Sequence, residues 1–393
     1  MKSPEVIVVG GGVMGSATAF ELARRGVEVV LIDQSLPGRA TSASAGGLWP
    51  ISEAVGLGCG VILHAAQDGF HDGPPILPVV FRRFLQESND LFPVLSEELA
   101  EIGGIDIEFA PGPGLIYVAL DESEREYVRR ILASLGGEGS VGWLRPSELR
   151  EIEPLLSDEI VGGVLIEGEH QVNPMMLAEG YKRAALASGA DFLGSTLVEG
   201  LIRRGDRVSG VRLQDGSDLL AETTINAAGA WSGKLAASAD MLLPVEPIRG
   251  QIVLTETLPR TLNACVSTST CYLAQKKHGE VLIGSTTERA GFDASVTRDG
   301  ISSLCRGAAR VVPMLEDVWV KRVWAGLRPG SPDELPILGP VASLDGYLNA
   351  TGLFRTGIVA APLAAKMLAE FLAGEDLSFP MEPFLAERFP TPI

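Results

Sequence analysis

The hydrophobic pattern opens on a unit that reads strand, turn, helix, strand. Val6-Ile7-Val8-Val9 is an unbroken β-branched run, suited to a parallel strand buried on both faces, and Val29-Val30-Leu31-Ile32 repeats it. The helix between them closes at Arg24-Arg25-Gly26, which puts cations at the negative end of the dipole and glycine as a stop. Residues 50–80 lack periodicity and read as a loop or insertion. Phe81, Phe84, Leu85, Leu91, Phe92, Leu95 and Leu99 recur at helical spacing, with a break near Pro93. Leu115–Leu120 is expected as a strand and Glu122–Leu135 as a helix, with Ser147 capping another. A strand at 161–166 precedes a helix from about Pro174 to Ser188, capped by Asn173. Short strands follow around 191–193, 196–198, 208–213 and 223–226. From Val245 to Trp324 the pattern turns β-rich, with runs at 250–255, 271–275, 280–287 and 318–324, a hairpin turn at Lys277-His278-Gly279 and a helix at 301–312. A last helix is expected from Gly357 to Ala373.

Composition narrows the class. The chain has 393 residues and 46% hydrophobic content, enough for about two cored domains by the usual length prior. Its formal charge of −18 opposes binding to a phosphate backbone, so nucleic acid is not an expected partner. Cys59, Cys265, Cys271 and Cys305 show no CxxC or ferredoxin spacing, and His64 and His71 lack a third ligand, so no metal site is expected. The first strand begins too early for a signal peptide, and no run of 18 uncharged apolar residues occurs. A cytoplasmic protein without a transmembrane segment is the expectation.

The candidate chemistry begins in the first turn. Gly10-x-Gly12-x-x-Gly15 permits a tight turn, close approach to a pyrophosphate and close helix–strand packing, with Val13 and Met14 opening a helix whose N-terminus favours an anion. Asp33, followed by Gln34, ends the second strand where a carboxylate accepts from an adenosine ribose, which argues against NADP. The motif alone leaves NAD and FAD open. A small-residue run then holds Arg39, Ala40, Thr41, Ser42, Ala45, Gly46, Gly47 and Leu48, where backbone can approach a planar or charged ligand and hydroxyls can meet phosphate. Two late segments, Gly326-Leu327-Arg328-Pro329-Gly330 and Gly352-Leu353-Phe354-Arg355-Thr356-Gly357-Ile358, each set an arginine among glycines and apolar residues. A guanidinium there needs an anionic partner: either a bidentate substrate carboxylate or an internal ion pair.

These segments resemble the D-amino acid oxidase and glycine oxidase superfamily. The 39–48 run is similar to its second flavin-contacting segment, with Ala-Gly-Gly beside the isoalloxazine ring. The resemblance implies that Val198 meets the adenine through its backbone and that Ala228, Gly229 and Trp231 end a strand below the dinucleotide. It further implies Arg328 as lead ligand of the substrate carboxylate and Arg355 assisting or packing over the ring. Phe354, Thr356, Gly357 and Ile358 then form a helix start facing the flavin, Tyr272 is a substrate-side tyrosine, and Thr287 and Glu288 are pocket residues. Position 326, where some sarcosine-oxidase relatives hold a flavin-linking cysteine, is glycine, which implies noncovalent FAD.

Ser44–Trp49, Glu53, Val55–Ile62, Gly284–Glu288, Gly291-Phe292-Asp293, Gly326–Pro340 and Pro383–Phe389 resemble, within that superfamily, the C-subunit family of bacterial hydrogen cyanide synthases. Related β subunits of cis-4-hydroxy-D-proline and opine dehydrogenases share the pattern. The resemblance implies an α/β (α+β overall) fold. A discontinuous Rossmann-type FAD-binding domain would comprise 1–80, 150–240 and 325–393, and a β-rich substrate domain 81–149 and 241–324. It implies hydride transfer from the α-carbon of a small amino or imino acid to flavin N5, with glycine oxidised to HCN and CO2 in the cyanide-synthase case. Ferredoxin-like and second flavoprotein chains are the implied partners, carrying a second flavin or iron–sulfur centre on those subunits or at their interface. The electron acceptor would connect the enzyme to the cytoplasmic membrane. An oxidase-like enzyme and a flavin-binding scaffold subunit are the rival readings, and His170 reads either as a neighbour of a second flavin or as a satisfied polar residue.

Overall fold

The β-branched run Val6–Val9 (β1) sits at the centre of a nine-stranded sheet, paired in parallel with Val29–Asp33 (β2) on one side and Thr223–Asn226 on the other. Asp191–Gly194 extends the parallel array beyond β2, and Leu344–Thr351 extends it beyond Thr223–Asn226. Both faces of β1 are covered, as an all-apolar strand requires. Val6 and Val8 face a core with the helices Val13–Ala23 (α1), Pro174–Ala187 and Gly357–Ala373, whereas Ile7 and Val9 face one containing Leu201, Val208 and Tyr347. The computed structural model describes residues 4–58, 76–135 and 141–389. Most of the expected insertion, with Cys59, His64 and His71, lies outside the described residues.

A second, eight-stranded sheet, largely antiparallel, runs in the order Val320–Gly330, Glu246–Thr257, Glu280–Gly284, Tyr272–Gln275, Cys265–Ser267, Leu115–Ala119, Gly162–Ile166, Trp143–Leu144. The expected boundaries between the two units shift in three places, one of them the break at 324/325, which falls inside the strand Val320–Gly330 and leaves 325–330 paired with Glu246–Gln251 in the second sheet. Gly162–Ile166, expected with the nucleotide domain, pairs with Leu115–Ala119 in the second sheet. Helices Val79–Asn89 and Phe92–Gly103, expected in the substrate domain, bury Phe81, Phe84, Phe92 and Leu99 in the core shared with α1. Their apolar faces match the alanine-rich Gly357–Ala373 and the helix Pro174–Ala187, so packing rather than chain order assigns them. Two local readings also change. Ser147 does not cap: the helix begins at Pro146, with Arg145 as N-cap and Glu148 reaching back to its backbone N–H. Residues Pro50–Ala54, expected as loop, form a short helix.

The sheets meet along the strand Val320–Gly330, far longer than its 318–324 expectation. Leu327 N donates to Gly38 O at 2.8 Å, Trp324 Nε1 to Ser42 O at 3.0 Å, and Phe354 N to Pro329 O at 2.9 Å. These bonds draw the small-residue run and both arginine segments together. Among the described residues no helix is long and apolar enough to cross a membrane.

Candidate active site

A cavity of about 630 Å³ opens between the sheets, within the range of about 300–1,000 Å³ usual for small-molecule sites. One end is the first turn, where Gly10, Gly11, Gly12, Val13 and Met14 all line it. The absence of side chains is required here. A Cβ on Gly11 would sit 2.8 Å from that of Asp33, and one on Gly15 would overlap Gly10 O, so this helix rests directly on the turn. The α1 N-terminus points at the cavity, and Thr41 Oγ1 accepts from Val13 N at 3.1 Å. Asp33 accepts from Ser35 N at 3.0 Å and from Arg39 at 2.6 Å, so these two expected cofactor residues form one charged pair at the wall. Gln34, Ala40, Val198, Ala228, Gly229 and Trp231 complete that end. Lys234 and Glu199 also line it, although no motif marked them.

The other end is lined by Ala45, Gly47, Trp49, Tyr272, Arg328, Phe354, Arg355, Gly357 and Ile358. Tyr272 is 7% exposed, packs edge-on against Trp49 at 5.1 Å, and covers Gly284, where any side chain would meet its ring. Arg328 donates to Thr286 O at 3.0 Å and to Ser285 Oγ at 2.5 Å, and its guanidinium fills the space a Cβ on Gly250 would take. Both of these partners are neutral oxygens.

Arg355, expected to assist the substrate carboxylate or to pack over the ring, lines the cavity and is held by internal carboxylates. Its guanidinium, 8% exposed, is held by Glu53 at 3.3 Å and Glu334 at 3.5 Å and lies 5.1 Å from the Phe354 ring centroid. The internal ion pair therefore accounts for this arginine, because a charge buried to that degree requires counter-charge and the chain supplies it. Glu288, expected in the pocket, faces away. It binds Arg249 at 2.5 Å, with Gln251 Nε2 at 2.7 Å and Thr286 beside it, and Asp293 completes the pair at 2.9 Å. Those partners hold its carboxyl below the usual range against the opposing effect of burial. Thr287 does not reach the cavity either, and its hydroxyl is buried without a hydrogen-bond partner.

Five expected cofactor residues support the wall without lining it. Gly15 packs on Gly10, and Gly46, at φ +75°, lets Val172 O approach. Ser42 Oγ donates to Arg39 O at 3.0 Å, Thr356 Oγ1 donates to Leu353 O at 2.9 Å, and Leu48 is fully buried in the core. Position 326 also lines the cavity, where a Cβ would overlap Ala43. His170 lies on a separate cavity of about 460 Å³, edge-on to Phe109 at 5.4 Å, and burial pulls its pKa down. Trp49 and Glu53 sat inside recognised segments but carried no sign of their position. Among the described residues no cluster of His, Cys, Asp and Glu is arranged to hold a metal, and Cys265, Cys271 and Cys305 are free thiols.

A two-ended cavity of this kind, with a glycine turn and helix N-terminus at one pole and an arginine–tyrosine pair at the other, suits an extended dinucleotide whose ring meets an anionic substrate. The chain belongs to the DAO family of FAD-dependent oxidoreductases, whose model matches residues 5–371. Within that family it is 46% identical over 404 residues to the hydrogen cyanide synthase subunit HcnC of Pseudomonas aeruginosa, across 99% of this chain and 97% of that one. It is 33% identical to the glycine oxidase of Geobacillus kaustophilus, across 98% of this chain and 97% of the relative. The crystal structure of a glycine oxidase from that organism superposes with a TM-score of 0.88 at 31% identity, covering 99% of each chain.

Proposed function

We propose that this chain is the catalytic, FAD-bearing subunit of a cyanide-synthase-type glycine dehydrogenase. The observation that carries this reading is the cavity itself, which joins the glycine turn to Arg328 in a chain related over its whole length to a hydrogen cyanide synthase subunit. Gly10–Met14 and Asp33 would hold the adenosine diphosphate, with Val198, Ala228 and Gly229 around the adenosine and Ala45, Gly47, Phe354, Gly357 and Ile358 around the ring. FAD, when bound, supplies a two-electron acceptor for the hydride of the substrate α-carbon. Arg328 binds the substrate carboxylate with its planar fork, and Tyr272 and Trp49 close the apolar side and exclude water. Arg355 with Glu53 and Glu334 stiffens the floor. Glycine going to HCN and CO2 loses four electrons and four protons, so two oxidations follow each other and the imine stays in the pocket between them. Gly326 leaves the cofactor noncovalent.

The relatives' names as synthase subunits support partner chains, which we assign to a ferredoxin-like protein and a second flavoprotein carrying further redox centres in the cytoplasm. Anaerobic addition of glycine to the complex co-expressed with its companion subunits tests the proposal. Bleaching of the flavin together with cyanide release is expected. Bleaching by cis-4-hydroxy-D-proline or an opine but not by glycine assigns the chain to the β-subunit reading instead. The glycine oxidase relatives favour one alternative, an enzyme that reduces oxygen directly, and stoichiometric peroxide without cyanide would establish it. A flavin that no amino acid bleaches leaves only a scaffold role.

A further inference from the structure

Lys276 follows the strand Tyr272–Gln275 and is not accounted for by substrate binding or by the nucleotide turn. Side chains along an extended strand alternate, so Tyr272, Ala274 and Lys276 project toward the same side of the sheet. Tyr272 reaches the cavity, and four residues on Lys276 reaches the back of its wall. Its ammonium donates to Ala45 O, to Gln171 Oε1 at 2.9 Å and to Val172 O at 3.4 Å. Ala45 lines the ring end of the cavity, and Val172 N donates to Gly46 O at 2.9 Å, so one ammonium ties that wall to the strand behind it.

All three acceptors are neutral. Among the described residues no carboxylate hydrogen-bonds to Lys276: Glu108, which acts on it through space, is bonded by Asn173 at 3.2 Å and paired with His278 at 3.3 Å, and Glu169 accepts from Ile51 N, Ser52 N and the Ser52 hydroxyl. Burial pushes the Glu169 carboxyl up to about 8 and the Cys265 thiol up to about 11, which disfavours the anionic form of both. Burial also lowers Lys276 itself to about 8, which leaves it protonated at pH 7. Every hydrogen-bond acceptor of this internal ammonium is neutral, with Glu108 acting on it only through space, so its field reaches across the Ala45–Gly47 wall it holds.

We propose that Lys276 is a positioning residue for the ring end of the site: it fixes the Ala45–Gly47 wall and places a positive charge behind it that favours the reduced, more electron-rich state of bound FAD. This rests on the reading of the cavity as the FAD site. Lys276→Gln keeps donors for Ala45 O and Gln171 without the charge, and Lys276→Arg keeps the charge. In the purified holoenzyme, K276Q is expected to retain FAD and to lower its midpoint potential. The expected shift is about a tenfold change in the reduction equilibrium, or about 30 mV for a two-electron couple. K276R is expected to stay near the parent value. FAD bound to K276Q at the parental potential overturns the Lys276 proposal alone, as does loss of FAD from both variants, which makes the residue a structural tie. A parent protein without a flavin spectrum overturns the cavity reading and this proposal with it.

Discussion

Arg328→Met is the sharpest perturbation of the proposed site, because it removes the guanidinium while leaving a stem of similar reach on the same strand. In the folded protein that guanidinium is already oriented, with Thr286 O at 3.0 Å, Ser285 Oγ at 2.5 Å and the side-chain-free Gly250 behind it. Truncating one member of a desolvated, hydrogen-bonded charge pair costs about 2–5 kcal/mol. At about 1.4 kcal/mol per decade, kcat/KM for glycine should fall by about 30-fold to several thousandfold. Arg328→Lys should fall between parent and Met, since an ammonium keeps the charge but not the bidentate fork. FAD content should not change, because the glycine turn and Asp33 lie at the other pole of the cavity. Steady-state rates with an artificial acceptor give kcat/KM, and an anaerobic glycine titration of the flavin spectrum gives binding and reduction separately. An Arg328→Met enzyme with full FAD and an unchanged glycine requirement would refute the assignment.

Glu288→Gln should lower thermal stability through the Arg249–Asp293 network and leave the KM for glycine unaltered; a raised KM at unchanged stability would return Glu288 to the pocket. Gly15→Ala should destabilise the fold by about 1–3 kcal/mol and weaken FAD retention, because the added methyl overlaps Gly10 O; parental melting and FAD content would contradict that packing. Acid precipitation should leave all flavin in the supernatant, and Gly326→Cys should impair folding or loading through its overlap with Ala43. Glu169 gives a pH signature. Its folded carboxyl is pushed from 4.5 up to about 8 by burial, so across that window the unfolded chain releases a proton the folded chain keeps. Stability present in full below about 4.5 is therefore lost as pH rises toward 8, and Glu169→Gln should flatten the Tm-against-pH curve between those limits.

The unit from β1 to Asp33 was legible because everything that makes it lies within one stretch: a β-branched strand, three glycines with local geometric duties, a closed helix and a terminal acid. Its sequence fixes which backbone can bend and which helix end meets an anion. The two arginine segments looked alike for the same local reason, and the chain alone offered each a substrate or an internal partner. Only the tertiary structure separated them. Glu53 and Glu334 converge on Arg355 from sites distant in the chain, and Thr286 and Ser285 accept from Arg328 at the ring end of the cavity. Glu288 was misplaced on similar grounds. Its bridge to Arg249 sets it against the face of strand Glu246–Thr257 opposite Gly250, and alternation along a strand turns one step in register into a change of compartment. Local backbone chemistry is written in adjacent residues, and so the sequence by itself determined the strand, glycine turn and helix start that line one end of the cavity. Which counter-charges meet each arginine depends on groups brought together across the whole fold, and that was decided by packing.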